Sequence, residues 1–268
     1  MVGTLGIVAG EGELPHLVAA EARRQGWRVV VFAFSDPSTV AEHAHVIMPC
    51  SLTDIHAVYQ AFQAESIRSV LFSGRLWKRE LLQDLPWDAP GRQLMENAGG
   101  LTDEGLVEAV LRTLDGFGIQ VLDQRDFLRP FLSPPGLLTR GEPTPGQWED
   151  IRLGLRVAQQ MAVFGIGQTL VLRQGMVLAL EAAEGTDEAI RRGCRLGGPG
   201  SVVAKATHGA HDFRFDIPTV GMETLNTLIE GRASVLAVEA RRVLLLNPET
   251  MIASANREGI AIVSVDHR

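Results

Sequence analysis

Thr4-Leu5-Gly6-Ile7-Val8-Ala9-Gly10-Glu11-Gly12-Glu13-Leu14-Pro15 decides the fold class. Thr4–Ala9 is a continuous apolar run, which predicts a strand buried on both faces. Gly10-Glu11-Gly12-Glu13 is a turn, and Pro15 suits the first turn of a helix, where its missing N–H costs nothing. Leu14, Leu17, Val18 and Ala22 then recur at helical spacing as far as Gly26. Arg28–Phe34 is a second apolar strand. Strand, glycine turn, helix, strand is the start of a parallel sheet covered by helices.

The alternation continues outward from this stretch. His45–Pro49, Ser69–Phe72 and Ile119–Leu122 read as strands, and Ile55–Ala64 and Leu101–Phe117 as helices. Pro134-Pro135-Gly136 and Glu142-Pro143-Thr144-Pro145-Gly146 then bracket a stretch with little periodicity, which predicts an extended connector. Beyond it, a helix is expected over Trp148–Phe164 and a hairpin of Gln168–Arg173 with Met176–Glu181 around Gln174-Gly175. Thr186 or Asp187 is expected to cap the next helix. Ser201–Ala204, Thr224–Gly231, Ser234–Val238, Val243–Leu246, Pro248–Glu258 and Ile260–Val265 complete a second set. The expectation is an α/β chain: a Rossmann-like parallel-sheet domain over residues 1–132, a linker over 133–147 and a second α/β domain over 148–268.

The 268 residues carry 25 Lys+Arg against 32 Asp+Glu, a net charge of −7, which argues against sequence-independent nucleic-acid binding. Cys50 and Cys194 cannot build a disulfide framework, and there is no CxxC. No run reaches the length of a membrane span, and the amino terminus is a poor signal peptide, so a cytoplasmic protein is expected.

Five constellations carry chemistry. Gly10–Gly12 aims backbone N–H groups and a helix start at an anion; the alternative is a plain tight turn, and Glu11 and Glu13 would repel a phosphate if they pointed inward. Ser73-Gly74-Arg75, with Lys78 and Arg79 behind, lies at the carboxyl end of a predicted parallel strand, where such sheets bind ligands. Leu101-Thr102-Asp103-Glu104 reads more simply as a helix cap. Glu181-Ala182-Ala183-Glu184-Gly185-Thr186-Asp187 offers oxygen ligands for a hard cation, or a polar turn before a helix. Lys205–Gly221 crowds Lys205, His208, His211, Asp212, Arg214 and Asp216 into one loop. Asp216 precedes Ile217-Pro218, so its backbone should be extended and its carboxylate held in one direction. The other histidines have no spacing that suggests a metal or a triad.

The last two constellations resemble the LpxI-type UDP-2,3-diacylglucosamine pyrophosphatases of lipid A biosynthesis. Gly6–Pro15 is similar to that family's L-I-A-G-x-G-x-L-P, Ser73-Gly74 to its A/S-G after a strand, and Asp103-Glu104 to its acidic pair. Gly167-Gln168, Glu181-x-x-Glu184-Gly185-Thr186-Asp187, Lys205-Ala206 and Arg214-x-Asp216-x-Pro218-x-Val220-Gly221 are similar to its I-G-Q, E-A-x-E-G-T-D, K-A and R-x-D-x-P-x-I-G. Between Lys205 and Arg214 the chain departs from the family: His211 stands where Gln is usual.

The resemblance implies a two-domain enzyme with its substrate between the domains. It implies Mg²⁺-dependent hydrolysis of the pyrophosphate to UMP and 2,3-diacylglucosamine 1-phosphate (lipid X). It makes Asp216 the essential carboxylate; the charge neutralisation that such hydrolysis needs adds Lys205 as a catalytic candidate, and Asp187, Asp212 or Glu184 to bind metal or polarise the attacking water, Asp187 being the catalytic choice. Substrate binding falls to Gly10, Gly12, Ser73, Gly74, Arg75, Gln168, Thr186 and Arg214, and metal binding to Asp216, Asp212 and Glu184. Expected partners are the UDP-activated diacyl sugar, the inner-membrane surface by transient peripheral contact, and a second copy in a homodimer. Two rival readings are a non-catalytic UDP-sugar or lipid sensor and an NAD(P)-dependent oxidoreductase. Against the latter, Pro15 replaces the third glycine of the dinucleotide fingerprint and Asp36 sits beyond the second strand's end.

Overall fold

The computed structural model describes residues 2–75, 85–100 and 102–266. Its contacts divide the chain into two units, Met1–Arg129 with Asp212–Asp216, and Pro130–His211 with Ile217–Arg268.

In the first unit β1 (Thr4–Ala9) is the central strand, flanked by β2 (Arg28–Ala33), β3 (Val46–Pro49), β4 (Ser69–Ser73) and β5 (Gln120–Val121). The order is β3-β2-β1-β4-β5 and every pairing is parallel. Leu5, Ile7 and Val29–Phe32 are fully buried, which is why these strands are apolar without alternation. Strands added after β1 grow to one side and those from β4 onward to the other. The chain therefore reverses its direction of winding beside β1, between β1 and β4. Helices α1 (Leu14–Arg24), α2 (Ile55–Ala64), α3 (Ala89–Ala98), α4 (Asp103–Gly116) and the short α5 (Arg125–Leu128) belong to this unit. One core cluster holds Phe32 edge-on to Phe62, with centroids 4.5 Å apart. Such a pair adds about 0.5–1.5 kcal/mol to its burial.

Sequence periodicity does not announce α3. Asp88 caps it through Gly91 N at 2.8 Å, and Gly99 ends it at φ +64°. Only Gly91 is buried along its length, so no apolar stripe marks it.

The second unit contains a sheet ordered β6-β13-β11-β9-β7-β8, where β6 is Gly136–Leu137, β7 Thr169–Arg173, β8 Met176–Leu180, β9 Val202–Lys205, β11 Val235–Glu239 and β13 Ala261–Val265. β9, β11 and β13 run parallel; β7 and β8 form the expected hairpin, antiparallel to β9. A separate parallel pair joins β10 (Thr219–Val220) to β12 (Leu244–Leu245). Alternate residues feed two cores. Val171, Val203, Leu236 and Ile262 face one cluster, and Leu170, Leu172, Ala204, Ala237 and Val263 face the other. The second face is covered by α6 (Pro145–Val163), opened by a reciprocal capping box of Thr144 and Gln147. α7 (Thr186–Gly197), α8 (Met222–Glu230) and α9 (Pro248–Glu258) follow.

Residues 133–144 carry no helix, Pro145–Gln147 open α6, and the whole segment belongs to the second unit. β6 pairs antiparallel with β13, Leu138 N donates to Ile262 O at 2.9 Å, and Arg140 N donates to Asn256 Oδ1 at 2.7 Å. Extended backbone carries unpaired donors and acceptors, and a sheet edge satisfies them.

Among the described residues, no helix is long and apolar enough to cross a membrane.

α7 lies close on β7 because Gly193 faces Val171, and a Cβ built at Gly193 falls inside van der Waals contact of Val171's side-chain carbons. Gly193→Ala is therefore expected to lower unfolding free energy by about 1–3 kcal/mol, as overpacking does, despite alanine's better helix propensity. Urea denaturation followed by far-UV circular dichroism reads it, and a variant as stable as the parent would refute this packing.

Candidate active site

The first unit gathers its polar residues at the carboxyl ends of its strands. The turn after β1 and the turn after β4 are joined by backbone hydrogen bonds: Gly10 N to Ser73 O at 2.9 Å, Glu11 N to Arg75 O at 2.9 Å, and Arg75 N to Glu11 O at 2.8 Å. Both glycines are needed for this approach. A Cβ on Gly10 would lie 2.5 Å from Arg75 O, and one on Gly74 would lie 2.8 Å from Glu11 O and from Pro15 Cγ. Gly74 also has φ +86°. Ser73 is 3% exposed, and its hydroxyl has no hydrogen-bond partner among the described residues. Gly10 is buried, Gly12 and Arg75 are exposed, and Lys78 and Arg79 lie outside the described residues.

The same unit includes Asp212–Asp216. Phe215 stacks on Phe72 of β4 with centroids 4.7 Å apart. Buried Gln124 donates to Phe213 O at 3.3 Å, and the Arg125 guanidinium sits 3.9 Å over the Phe213 ring. Two Asp-x-Arg turns of one geometry meet here. Arg125 N donates to Asp123 Oδ1 at 2.8 Å and its Nη2 to Oδ2 at 2.6 Å; Arg214 repeats this on Asp212 at 3.0 and 2.6 Å. Burial pulls the Asp123 carboxyl up, but the Arg125 fork outweighs it and holds the group below the usual carboxylate range. The Asp212 carboxylate raises the Arg214 guanidinium. Asp216 follows directly on the stacked Phe215 and is exposed.

In the second unit Lys205 ends β9 and is 6% exposed. Its Nζ donates to Thr186 Oγ1 at 3.0 Å, and Thr186 in turn donates to Glu181 Oε1 at 2.8 Å. The other Glu181 oxygen accepts from Gln168 N at 3.2 Å, while Gln168 O accepts from Ala206 N at 3.0 Å. Asp187 accepts from Thr224 Oγ1 at 3.4 Å. Burial pushes its carboxyl up, with Glu223 adding to the effect and Lys205 opposing it. The structure thus brings Gln168, Thr186, Asp187 and Lys205 together. Glu184 instead pairs with Arg192 at 2.5 Å, and its carboxyl is lowered by its own backbone N–H and by that arginine.

The helix cap differs from expectation. Gly185, at φ +86°, is the cap of α7 and no side chain caps it. Thr186 is drawn away from capping because its hydroxyl bridges Lys205 and Glu181. Glu239 is a residue that the motifs do not single out as a site member, and Glu181, one of the motif's candidate oxygen ligands, here orients Thr186 and Gln168. Glu239 is 5% exposed; it accepts from Thr207 N at 2.9 Å and Gln159 Nε2 at 3.3 Å, so it anchors the start of the 205–211 run. A visible signal existed: Glu239 ends the apolar strand β11 as Lys205 ends β9.

Residues 4–131 match the LpxI N-terminal domain and residues 134–263 the LpxI C-terminal domain. The chain belongs to the LpxI family. It is 29% identical over 280 positions to the protein named UDP-2,3-diacylglucosamine pyrophosphatase LpxI of Caulobacter vibrioides, covering 98% of this chain and 97% of that one. Among solved structures it is similar to the N5-carboxyaminoimidazole synthetase of Staphylococcus aureus complexed with ADP, with 16% identity, TM-score 0.27, and coverage of 64% of this chain and 37% of that one. It is also similar to the N5-carboxyaminoimidazole ribonucleotide synthetase of Thermotoga maritima, with 13% identity, TM-score 0.25, and coverage of 68% and 41%. The chain thus spans less than half the length of these two structures.

The raised Asp187 carboxyl gives a prediction of definite sign. Its neutral form is favoured by folding, so that contribution is fully present below the ordinary value of 3.8 and is lost as pH rises through the elevated folded value. Above that value the ionised group destabilises the fold. Asp187→Asn keeps the acceptor for Thr224 and should raise the melting temperature at pH 7, with the difference vanishing below pH 3.8. Thermal melts across that range check it; a variant less stable at pH 7 would reverse the sign.

Proposed function

We propose that this chain hydrolyses the pyrophosphate of UDP-2,3-diacylglucosamine, with Mg²⁺ as cofactor, releasing UMP and 2,3-diacylglucosamine 1-phosphate. The observation that carries this reading is that the family's two most specific motifs each fold into an ordered polar site. One site is the chain Lys205–Thr186–Glu181 beside Asp187, and the other is the docked Arg214–Asp216 segment. Membership of the LpxI family and the name of the Caulobacter relative supply the substrate class.

The donors suit a hard cation in kind, since Asp216, Asp212 and Glu184 offer only carboxylate oxygens. Asp212 and Glu184 also accept from Arg214 and Arg192, and Asp216 is the carboxylate that the motif resemblance makes essential. When bound, Mg²⁺ supplies charge neutralisation and Lewis-acid polarisation at the phosphoryl oxygens.

The remaining roles fall to side chains. Lys205, oriented by Thr186, stabilises negative charge developing on a phosphoryl oxygen; its burial makes that charge act through low dielectric. Water attacks the phosphorus on the sugar side, the P–O bond to the bridging oxygen breaks, and UMP leaves. Asp187, with its raised carboxyl, takes the proton from the attacking water. Gly12 and Gly74 hold phosphate and nucleotide groups through backbone N–H donors, Ser73 through its buried hydroxyl and Arg75 through its exposed guanidinium, while Gly10, whose N–H is held by Ser73 O, shapes the turn. Gln168 and Arg214 hold the sugar phosphate. Asp216 and Arg214 belong to the first unit and Lys205 and Asp187 to the second, so the reaction as proposed calls on both.

Incubation of the purified chain with UDP-2,3-diacylglucosamine and Mg²⁺ should release UMP, and a chelator should stop it. Asp216→Ala should lower the rate at least about a thousandfold, and Lys205→Met about a hundredfold or more, with unchanged circular dichroism. Substrate consumption without UMP, or full activity in Asp216→Ala, would reject the reading.

A further inference from the structure

We propose that His16, Glu42 and His43 form a binding site for a divalent transition-metal cation of the zinc type, separate from the carboxylates of the proposed reaction. His16 is in the first turn of α1, and Glu42 and His43 lie in the connection between β2 and β3. One ring nitrogen of each histidine and a Glu42 carboxylate oxygen all lie within 4.8 Å of one another. The imidazole centroids are 4.7 Å apart. Glu42 Oε1 is 3.2 Å from His43 Nε2; its 3.7 Å approach to His16 is to Nδ1, the nitrogen that faces Thr39 O, so His16 would ligate through Nε2 after a side-chain rotation.

The trio is oriented from outside. His16 Nδ1 lies 2.8 Å from Thr39 O. A carbonyl only accepts, so that bond puts the hydrogen on Nδ1 and leaves Nε2 with its lone pair. Backbone carbonyls orient metal-bound histidines in the same way. Arg23 Nη1 is spent on the Glu42 carbonyl at 2.7 Å, which fixes the backbone next to the carboxylate. Two imidazoles in contact repel each other when both are protonated. As neutral rings sharing one carboxylate they present two nitrogen lone pairs and one negative charge.

The donor chemistry sets the class of ion. Two imidazoles and a carboxylate are borderline ligands that favour zinc, cobalt or nickel, whereas Mg²⁺ prefers oxygen alone. Two histidines and a glutamate, with a fourth position for water, is a known zinc arrangement. Tetrahedral zinc at about 2.0–2.1 Å from its ligands holds them roughly 3.3 Å apart. The trio is wider than that, and its side chains have room to close by rotation: their exposures are 34% for His16, 68% for Glu42 and 24% for His43. The bound ion would cross-link α1, which follows the Gly10–Gly12 turn, to the segment after β2.

The test uses the full chain and Zn²⁺ in competition with a chromophoric chelator, in the presence of excess Mg²⁺. One equivalent should bind, and Zn²⁺ should raise the melting temperature. His16→Ala and His43→Ala should each weaken binding at least about tenfold and abolish the thermal shift, while His208→Ala should change neither. No stoichiometric uptake, uptake indifferent to both variants, or uptake lost in His208→Ala would overturn the site. Should either variant fail to fold, X-ray absorption of the zinc-loaded wild type decides. Two imidazoles with a carboxylate oxygen support the site, and fewer than two imidazoles overturn it.

Discussion

The docking of residues 212–216 on the first unit is the interaction on which the rest depends. Its strength lies in the rings. The stacked Phe72–Phe215 pair and the Arg125 guanidinium over Phe213 are worth about 0.5–1.5 and 0.5–2 kcal/mol respectively. The Gln124 amide bond to Phe213 O adds roughly 0.5–1.5 kcal/mol, because the donor is buried. The two Asp–Arg forks are more than a third exposed on the arginine side, so solvent screens them and they contribute little stability. Their role is directional: each locks an arginine within its own turn and sets the path of the chain. Asp216 comes next, and its carboxylate inherits the direction this scaffold imposes.

Both sheets repeat one rule. Strand interiors are apolar where helices cover both faces, and buried polar residues stand at the carboxyl ends. Ser73 ends β4, Lys205 ends β9 and Glu239 ends β11. A buried ammonium needs partners, and Thr186 and the nearby Asp187 charge supply them to Lys205. The raised Asp187 carboxyl is a consequence of the same burial.

Much of this was legible in the chain. The strand–turn–helix of residues 4–24, the hairpin around Gln174-Gly175 and the polar run from Lys205 follow from apolar continuity and glycine placement. What was hidden depends on contacts between distant residues. Thr186 reads as a helix cap because threonine before an acidic residue usually is one; only the arrival of Lys205 from β9 diverts its hydroxyl. Glu239 looks like an ordinary acid until its partner, Thr207, is placed beside it. α3 buries only Gly91, so it leaves no periodic trace. The segment at 133–144 announces its non-helical backbone through proline, but nothing local specifies β13 as the edge that it joins.

The most direct measurement is the turnover number for UMP release by Phe215→Ala, a change that removes a ring from the docked segment and touches no carboxylate. Misplacing a reacting group by about 1 Å costs about a hundredfold in rate. The account predicts a fall of about ten- to a hundredfold in kcat, with a smaller change in KM and a folded protein. An unchanged kcat would contradict it, because Asp216 would then not owe its position to the stacked ring beside it.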